Sequence, residues 1–386
     1  MHALSTVGRV KIAMLGTRGV PALHGGFETA VEEIGARLVE RGHDVTVYAR
    51  NPDQQLTDYR GMNVVNLPAL RHRFTETLTH TAVSSAHAVL RNKPDVAMVF
   101  NAGNAPMLRP LIRAGVPTAV HLDGLESRRE KWRGAGARYY RWAEKAATKW
   151  ADAVVVDSQV IAEYVEQTYG RSTVFIPYGA EVIDPGTDRL AELDLVRRDF
   201  HLAVARMEPE NHVLEAVAAY RHSEETRPLV VVGSAPYSRW YVDKVHEAAA
   251  EDSRIRFLGG VYDQQVLDQL YGNCRTYIHG HSVGGTNPSL LRAMGAGAPV
   301  LAFDCPFNRE VTADQALFWS NAGDLTVLLD EVAESADLMD TEHMQQRLTE
   351  LSEAGRARVD TDYRWDDVAT HYERLLTCIA HPKVAA

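Results

Sequence analysis

The chain has 386 residues, of which 45% are hydrophobic, so it is long enough for two domains that each bury a core. Its formal net charge is −10, which excludes a general nucleic-acid-binding protein, since phosphate backbones are bound by an excess of Lys and Arg. The three cysteines have no C-x-x-C spacing and predict neither a disulfide framework nor a zinc site, so a reducing cytoplasm is expected. No stretch of about 18 apolar residues occurs, and we expect no membrane-spanning helix.

The first predicted element is a strand at residues 12–15, which runs into a glycine-rich loop. Gly16 lies at the end of the strand, and Gly25 and Gly26 precede a helix whose apolar residues recur at helical spacing from Ala30 onward. A glycine loop that ends at a helix N-terminus offers unpaired backbone N–H groups, which suit an anion such as a phosphate. The motifs G-x-G-x-x-G and G-x-x-x-x-G-K-[ST] are both absent, so NAD and ATP are not the expected ligands.

Strands and helices then alternate along the chain. Strands are predicted in "HDVTVYA", "DVAMVF", "PTAVHL" and "DAVVVDS", and after a Pro/Gly-rich linker the pattern restarts with "FHLAVAR", "PLVVVGS", "IRFLGG", "TYIHGHS" and "APVLAF". This alternation predicts an α/β fold with two Rossmann-like domains facing across a cleft, each with a parallel sheet. The predicted domains are residues 1–182 and 183–364, and residues 365–386 are predicted to form a helix that returns to the N-terminal domain.

The loops beyond the carboxyl ends of parallel strands are the expected ligand sites, and the richest of them is "HGHSVGGTNPSLLRAMGAG". Pro288 suits the first position of a helix, and Thr286 or Asn287 can cap it. The positive end of that helix would stabilise a nucleotide diphosphate both as bound substrate and as leaving group. The alternative is an ordinary capped helix after a turn, although His279 and His281 have no evident structural need in the same loop.

Five segments, in this order, resemble glycosyltransferases of family 4 with the GT-B fold, and specifically the bacterial subgroup similar to L-rhamnosyltransferases that use dTDP-rhamnose. They are "GTRGVPALHGGFET", "HLDGLESRREKW", "ADAVVVDS", "ARMEPEN" and "HGHSVGGTNPSLLRAM", and they extend to about Ala302. The resemblance implies retaining transfer of L-rhamnose from dTDP-rhamnose to a glycan, a lipid-linked sugar or a natural product, with no bound metal or other cofactor. It also implies that the N-terminal domain binds the acceptor and the C-terminal domain binds the nucleotide sugar.

Site residues follow from these segments and from the loops. The expected donor-binding residues are Gly16, Gly25, Gly26, Arg206, Asn211, Gly233, Tyr262, His281, Gly284, Gly285, Thr286, Asn287 and Arg292. The expected acceptor-binding residues are Glu28, Asn101, Glu126, Arg128 and Arg129.

The catalytic candidates are two aspartates that follow predicted strands, Asp123 and Asp157. A carboxylate that faces the donor sugar can stabilise positive charge at the anomeric carbon or accept the proton of the acceptor. Retention then proceeds either through a covalent intermediate on one aspartate or through attack from the face that the diphosphate leaves, and the resemblance favours the second route. The alternative for Asp157 is a cap for a helix at residues 159–169, which Ser158 can also provide. Strand alternation points His121 to the opposite face from Asp123, which favours a structural role for it.

Two positions depart from the glutamates that the family usually carries ahead of and within the last helix of the site. Gly284 and Arg292 occupy them, and in the family the second glutamate holds the ribose hydroxyls. A deoxyribose donor has one hydroxyl fewer, so the loss of this contact is easier to tolerate with dTDP. We expect a glutamate at position 292 to strengthen UDP binding relative to dTDP.

The residues expected to contact the diphosphate also differ from the family pattern, because Asn211 stands where the broader family has a lysine. Arg206 alone can still make a bidentate contact with a phosphate. The alternative is a surface arginine paired with Glu208 or Glu210.

Basic and aromatic residues are interleaved between residues 128 and 150, a mixture that suits an anionic membrane surface or a lipid pyrophosphate. The alternative is a solvated helix whose aromatics pack into the core. The expected location is cytoplasmic, with peripheral contact on the inner face of the membrane. The cations of this segment, which outnumber Glu130 and Glu144, are Arg128, Arg129, Lys131, Arg133, Arg138, Arg141, Lys145 and Lys149.

Two other classes of protein fit the same sequence. A nucleotide-sugar epimerase or hydrolase of this fold would act on a donor with no acceptor present. A catalytically silent sugar-nucleotide-binding protein would bind dTDP and turn nothing over, and the departures at Asn211, Gly284 and Arg292 are compatible with it.

Overall fold

The computed structural model describes residues 8–22, 25–50, 56–70, 75–122, 124, 134–233, 239–249, 252–334 and 341–382. The chain divides into two compact units. Unit 1 consists of Met1–Tyr178 with Trp365–Ala386, and unit 2 is Gly179–Arg364.

The sheet of unit 1 is almost entirely parallel. Its strands within the described residues are β1 (Lys11–Leu15), β2 (Asp44–Ala49), β3 (Asp58–Tyr59), β4 (Met62–Asn66), β5 (Val96–Phe100), β6 (Thr118–Leu122), β7 (Ala153–Val156) and β8 (Val174–Phe175). They lie in the order β3-β4-β2-β1-β5-β6-β7-β8, and only the β3–β4 pair is antiparallel. The central strands β5, β6 and β7 are buried along their whole length, as expected for strands covered by helices on both faces.

The helices of unit 1 form two layers. The first five helices are α1 (Gly26–Glu40), α2 (Glu76–Arg91), α3 (Leu108–Arg113), α4 (Ala135–Trp150) and α5 (Gln159–Tyr169). Helices α2 to α5 pack on one another in chain order. They connect strands that advance across the sheet in one direction, whereas α1 connects β1 to β2 in the other. Since such crossovers are right-handed, α1 covers the opposite face from α2 to α5.

The sheet of unit 2 is parallel throughout. Its strands within the described residues are β9 (His201–Val204), β10 (Leu229–Val232), β11 (Ile255–Gly259), β12 (Tyr277–His279), β13 (Val300–Phe303) and β14 (Leu317–Trp319). They lie in the order β11-β10-β9-β12-β13-β14. Apolar side chains of both the strands and the helices meet in a core that contains the buried rings of Tyr220 and Trp319.

The helices of unit 2 follow its strands in alternation. They are α6 (Val213–His222), α7 (Arg239–Ala249), α8 (Gln264–Asn273), α9 (Pro288–Gly295), α10 (Pro306–Thr312), α11 (Ala322–Glu334) and α12 (Thr341–Asp362). The last helix, α13 (Trp365–Ala380), belongs to unit 1, where it packs on α1 and β5. Arg37 of α1 holds it through an ion pair in which Nε lies 2.8 Å from Asp366 Oδ1.

The predicted α/β class with two Rossmann-like halves is confirmed. Two features were not predicted, the antiparallel β3–β4 pair and the edge strand β14. Strands β3 and β14 have only two and three residues, so they lack a periodicity that the sequence could show. No helix in the described ranges is long and apolar enough to cross a membrane.

Candidate functional site

Each sheet has a point where the strand order reverses. In unit 2 the chain runs outward from β9 to β11 and then crosses to β12 on the other side of β9. In unit 1 the same reversal separates β1 from β5. Open α/β sheets bind ligands beyond the carboxyl ends of their strands at such points. The loops that begin there follow β9 and β12 in unit 2, and β1 and β5 in unit 1.

In unit 2, side-chain hydrogen bonds join the loop after β9 to the loop after β12. Asn211 Nδ2 donates to the Arg206 carbonyl oxygen at 2.7 Å, and this orients Asn211 Oδ1 toward His281 Nδ1, 2.6 Å away. Because that oxygen can only accept, His281 Nδ1 carries the proton in this hydrogen bond. His212 Nδ1 makes a second link by donating to the Gly280 carbonyl oxygen at 2.7 Å.

Two glycines, one after β12 and one after β10, allow close approach to the backbone of the loop after β9. A Cβ on Gly280 would lie 2.2 Å from the Asn211 carbonyl oxygen, and a Cβ on Gly233 would lie 1.8 Å from the Ala205 carbonyl oxygen. Gly233 also has a φ of +149°, which L side chains rarely adopt. Gly233 was a predicted site residue, whereas Gly280 was not, because its partner is distant in sequence.

Helix α9 begins at this reversal point with a side-chain cap. Asn287 Oδ1 accepts from the backbone N–H of Ser289 at 2.9 Å and of Leu290 at 3.4 Å, and Pro288 occupies the first turn. Of the two residues that could cap this helix, the structure assigns Asn287. The preceding Gly284, Gly285 and Thr286 are buried, so the positive end of α9 lies among the loops at the reversal point.

Arg206 lies just beyond β9 and is exposed. Within the described ranges, its guanidinium forms no ion pair with Glu208, Glu210 or any other carboxylate. The alternative of a surface arginine paired with one of these glutamates is therefore wrong. An arginine at the reversal point with no carboxylate partner is suited to bind a phosphate.

The Arg292 side chain is held against helix α8. Its Nε lies 2.6 Å from Asp268 Oδ1, and its guanidinium also donates to Gln264, so it ties α9 to α8. Tyr262 is exposed in the loop between β11 and α8, with 62% of its surface accessible. A direct donor contact for either residue stays a prediction.

In unit 1, the glycine loop after β1 is closed by Glu28. Its Oε1 accepts from the Arg18 backbone N–H at 2.9 Å, which ties the first turn of α1 back to the loop. Gly25 precedes Gly26, the first residue of α1, and has a φ of +91°. A Cβ on Gly16 would lie 2.4 Å from the Phe100 carbonyl oxygen, so the loop packs directly on the end of β5. Glu28 thus has a structural contact, and its predicted contact with an acceptor stays a prediction.

Two asparagine side chains make hydrogen bonds within the loop after β5. Asn101 has a φ of +71° and accepts from the Gly103 backbone N–H at 2.7 Å, which starts a 3-10 helix at Ala102–Met107. The fully buried Asn104 donates to the Phe100 carbonyl oxygen at 2.8 Å. Its Oδ1 has no donor among the described residues. Asn101 was a predicted site residue, while Asn104 was missed because only burial distinguishes it from other loop asparagines.

His121 lies at the end of β6 inside a cage of aromatic rings. The rings of Phe27, Phe100, Tyr178 and Tyr372 have centroids between 5.4 and 6.4 Å from its own. Neither ring nitrogen has a hydrogen-bond partner in the described part of the chain, and burial lowers the pKa of His121 to about 3. The imidazole is therefore neutral at physiological pH and serves as a core residue, which agrees with its predicted structural role.

Asp157 is fully buried directly after β7. Ser158, not Asp157, caps α5, since Ser158 Oγ accepts from the Val160 backbone N–H at 3.1 Å. The capping alternative for Asp157 is therefore wrong. Burial, with the Asp157 carboxylate as a second cause, raises the pKa of Tyr372 well above its usual value. This places a buried carboxylate at the carboxyl edge of the unit 1 sheet.

Residues 25–179 match the family described as glycosyl transferase 4-like domain, and residues 199–339 match the family described as glycosyl transferases group 1. The chain carries two glycosyltransferase domains. The first lies almost wholly in unit 1 and the second within unit 2.

Solved structures with the same fold are glycosyltransferases of several kinds. Sucrose-phosphate synthase from Thermosynechococcus elongatus is similar with a TM-score of 0.81, at 20% identity, over 95% of this chain and 98% of that one. A glycosyltransferase from Rickettsia africae has a TM-score of 0.75 at 15% identity, over 96% of this chain and 98% of that one. HepE from Anabaena, in complex with UDP-glucose, has a TM-score of 0.75 at 17% identity, over 95% and 99% of the two chains. These likenesses establish the GT-B fold.

One curated protein also matches part of the chain, the tryptophan synthase alpha chain of Ralstonia nicotianae. It is 28% identical over 134 residues, which are 34% of this chain and 48% of that protein. The match spans about half the length of this curated relative, and it assigns no family to the glycosyltransferase domains.

Four predicted residues of the first glycosyltransferase domain lie outside the described residues, namely Asp123, Glu126, Arg128 and Arg129. Among the residues described, no group of three or more His, Cys, Asp or Glu is placed to hold a metal ion. The expectation that the reaction needs no bound metal stays a prediction.

Proposed function

We propose that this protein is a retaining glycosyltransferase that moves L-rhamnose from dTDP-L-rhamnose to a glycan, a lipid-linked sugar or a natural product. The observation that carries the proposal is the arrangement at the unit 2 reversal point, where the exposed Arg206 and the capped N-terminus of α9 both lie in interlocked loops. Arginine side chains and helix N-termini both bind phosphate groups in many proteins.

A nucleotide diphosphate fits this arrangement for electrostatic reasons. The guanidinium of Arg206 offers a bidentate contact, and the N-terminus of α9 adds the equivalent of about half a positive charge. Both groups would stabilise the charge that develops on the diphosphate as the sugar departs. A solved protein of the same fold binds UDP-glucose, which supports a nucleotide sugar as the donor class.

The choice of dTDP rests on the five motifs and on Arg292. In the resembling family a glutamate at this position holds the ribose hydroxyls, whereas here the side chain is committed to Asp268. A deoxyribose has no 2′-hydroxyl to leave unsatisfied, so a thymidine nucleotide loses less than a uridine nucleotide at such a site.

The proposed transfer proceeds on one face of the sugar. The bond between the acceptor oxygen and the anomeric carbon forms while the bond from that carbon to the diphosphate oxygen breaks, and the leaving phosphate takes the acceptor proton. Asp157 and Asp123 are the proposed carboxylates that stabilise the positive charge at the anomeric carbon. The anomeric configuration of the product, read by NMR, tests retention, and an inverted product would overturn it.

The donor is tested by thermal shift of the purified protein with dTDP, UDP, GDP and ADP, because a ligand that binds only the folded state raises the melting temperature. The largest shift is expected with dTDP. Arg206→Gln should weaken dTDP binding, by roughly tenfold or more for the loss of a charge-assisted contact. Arg197→Gln is the matched control, since Arg197 is exposed in the same unit just ahead of β9, at the opposite edge of the sheet.

The nucleotide-binding tests distinguish the alternatives. A larger shift with UDP or GDP would overturn the dTDP assignment, and no shift with any nucleotide would overturn a nucleotide-sugar donor altogether. A dTDP shift without any turnover of dTDP-rhamnose would favour the silent binding protein. Consumption of dTDP-rhamnose without an acceptor would favour the epimerase or hydrolase. Equal losses of dTDP affinity in the Arg206 and Arg197 variants would contradict a contact between Arg206 and the diphosphate.

A further inference from the structure

Helix α4 presents a stripe of cations to the solvent. Residues 138, 141, 142, 145 and 149 fall within an arc of about 100°, since each helical residue turns the chain by about 100°. All five side chains are exposed, and Trp142 retains 48% of its accessible surface in the middle of the stripe. We call this the α4 stripe, and its members are Arg138, Arg141, Trp142, Lys145 and Lys149.

No exposed acidic residue of α4 itself balances the α4 stripe. The single acidic residue of α4 is Glu144, which is buried and accepts hydrogen bonds from Tyr164 and Tyr169 of α5 at 3.4 and 3.1 Å. None of the four cations of the stripe forms an ion pair with any described residue. This concentration of unpaired charge stands out in a chain of net charge −10.

Helix α3 extends the same surface. Arg109 and Arg113 are exposed and have no ion pair among the described residues, and α3 contains no acidic residue. The Arg109 guanidinium lies 4.3 Å above the ring of Trp150, which joins α3 to the end of α4. Ile112 adds an apolar side chain that is 39% exposed. Cations therefore surround two partly exposed apolar groups, Ile112 and Trp142.

This surface adjoins the unit 1 reversal point. The Tyr139 hydroxyl, at the start of α4, donates to the Gly103 carbonyl oxygen at 2.7 Å, in the loop that follows β5. Gly103 in turn packs closely, since a Cβ there would lie 3.1 Å from the Tyr140 ring. A partner bound along the α4 stripe would thus lie beside the loop that carries Asn101.

We propose that the α4 stripe, with Arg109, Ile112 and Arg113, is a docking surface for an anionic lipid bilayer. The cations suit anionic headgroups, and an exposed tryptophan among them suits the boundary between headgroups and acyl chains. The net charge of −10 opposes binding to long nucleic acids, whose field extends over the whole protein. The inference deepens the proposed function and rests on it in one respect, because docking would bring a membrane-bound acceptor to the reversal-point loop of unit 1.

Co-sedimentation with vesicles tests the surface directly. Binding is expected to phosphatidylcholine vesicles that contain phosphatidylglycerol, to be absent with phosphatidylcholine alone, and to weaken as salt is added. Arg141→Gln/Lys145→Gln removes the two charges that flank Trp142 and should lower the partition coefficient about 25-fold, at about fivefold per charge. The matched control is Lys11→Gln/Arg374→Gln, which removes one lysine and one arginine that are exposed elsewhere in unit 1 and should change binding little.

Several results would overturn the docking surface. These are equal binding to phosphatidylcholine alone, equal losses in the two double variants, or tighter binding to a DNA oligonucleotide than to the anionic vesicles. The dTDP thermal shift separates this inference from the proposed function, since Arg141→Gln/Lys145→Gln should leave it unchanged. Vesicle binding without any nucleotide binding would uphold the surface and defeat the donor assignment.

Discussion

The aromatic cage around His121 allows a sharp prediction about acid stability. Burial lowers the pKa of His121 to about 3 in the folded protein, whereas an unfolded histidine has a pKa of about 6.5. The unfolded state therefore binds the proton first as the pH falls. Above about pH 6.5 the titration of His121 therefore does not change the free energy of unfolding. Between that pH and about 3, proton uptake by the unfolded state lowers the free energy of unfolding progressively.

The expected size follows from the distance to the unfolded pKa. At pH 5, about 1.5 units below it, the loss is about 2 kcal/mol at 1.36 kcal/mol per unit. His121→Phe keeps an aromatic ring in the cage and removes the titrating group. The variant should therefore be more acid-stable than wild type, by roughly 4–8 °C in melting temperature at pH 5 for a unit of this size.

Scanning calorimetry between about pH 8 and pH 5 measures this difference. His80 and His279 also have pKa values lowered by burial, to about 4 and about 3, but they are present in both proteins and cancel in the comparison. His371→Gln is a suitable control, because His371 is exposed on α13. Melting temperatures of wild type and His121→Phe that fall in parallel as the pH is lowered would refute the reasoning.

Three further changes probe the unit 2 site. Asn287→Ala removes the α9 cap, so it should lower the free energy of unfolding by about 1 kcal/mol in calorimetry and weaken dTDP binding. Asn287→Ser keeps a capping oxygen and should retain the stability and the dTDP affinity. Equal behaviour of the two variants would contradict a capping role. Gly280→Ala places a Cβ 2.2 Å from the Asn211 carbonyl oxygen and should lose about 1–3 kcal/mol of stability together with dTDP binding; an unchanged melting curve would contradict the close approach. Arg292→Glu alone would face the Asp268 carboxylate, so it is combined with Asp268→Asn. The double variant should raise the ratio of UDP to dTDP affinity in calorimetric titration, and an unchanged ratio would defeat the ribose explanation.

Much of the fold was predictable because its signals are local. Continuous apolar runs such as "DVAMVF" and "DAVVVDS" predicted buried parallel strands, and they form β5 and β7. The helix expected at residues 159–169 is α5, and Pro288 opens α9 as its position in the loop indicated. Strand order was not predictable, since the strands have similar compositions and their neighbours are chosen by packing over long sequence distances.

The site was predictable only in part. The family motifs pointed to Arg206 and to the loop before α9, and both lie at the unit 2 reversal point. The structure adds contacts that the sequence did not predict. The Asn211 amide links two loops, and Arg292 contacts Asp268 between two helices that the sequence alone does not bring together. The donor contacts of both residues stay predictions.

The sequence by itself determined the alternation of strands and helices, the positions of the glycine loops and the helix caps, and the excess of cations on α4. These depend on residues a few positions apart, whose relative placement follows from helix and strand geometry. Only the tertiary structure decided that Arg206 has no carboxylate partner, that Glu144 turns inward and leaves the α4 stripe unbalanced, and that His121 is enclosed by aromatic rings. Ion pairing and burial depend on groups that are distant along the chain, and a residue's own neighbours in sequence do not specify which of those groups the fold brings against it.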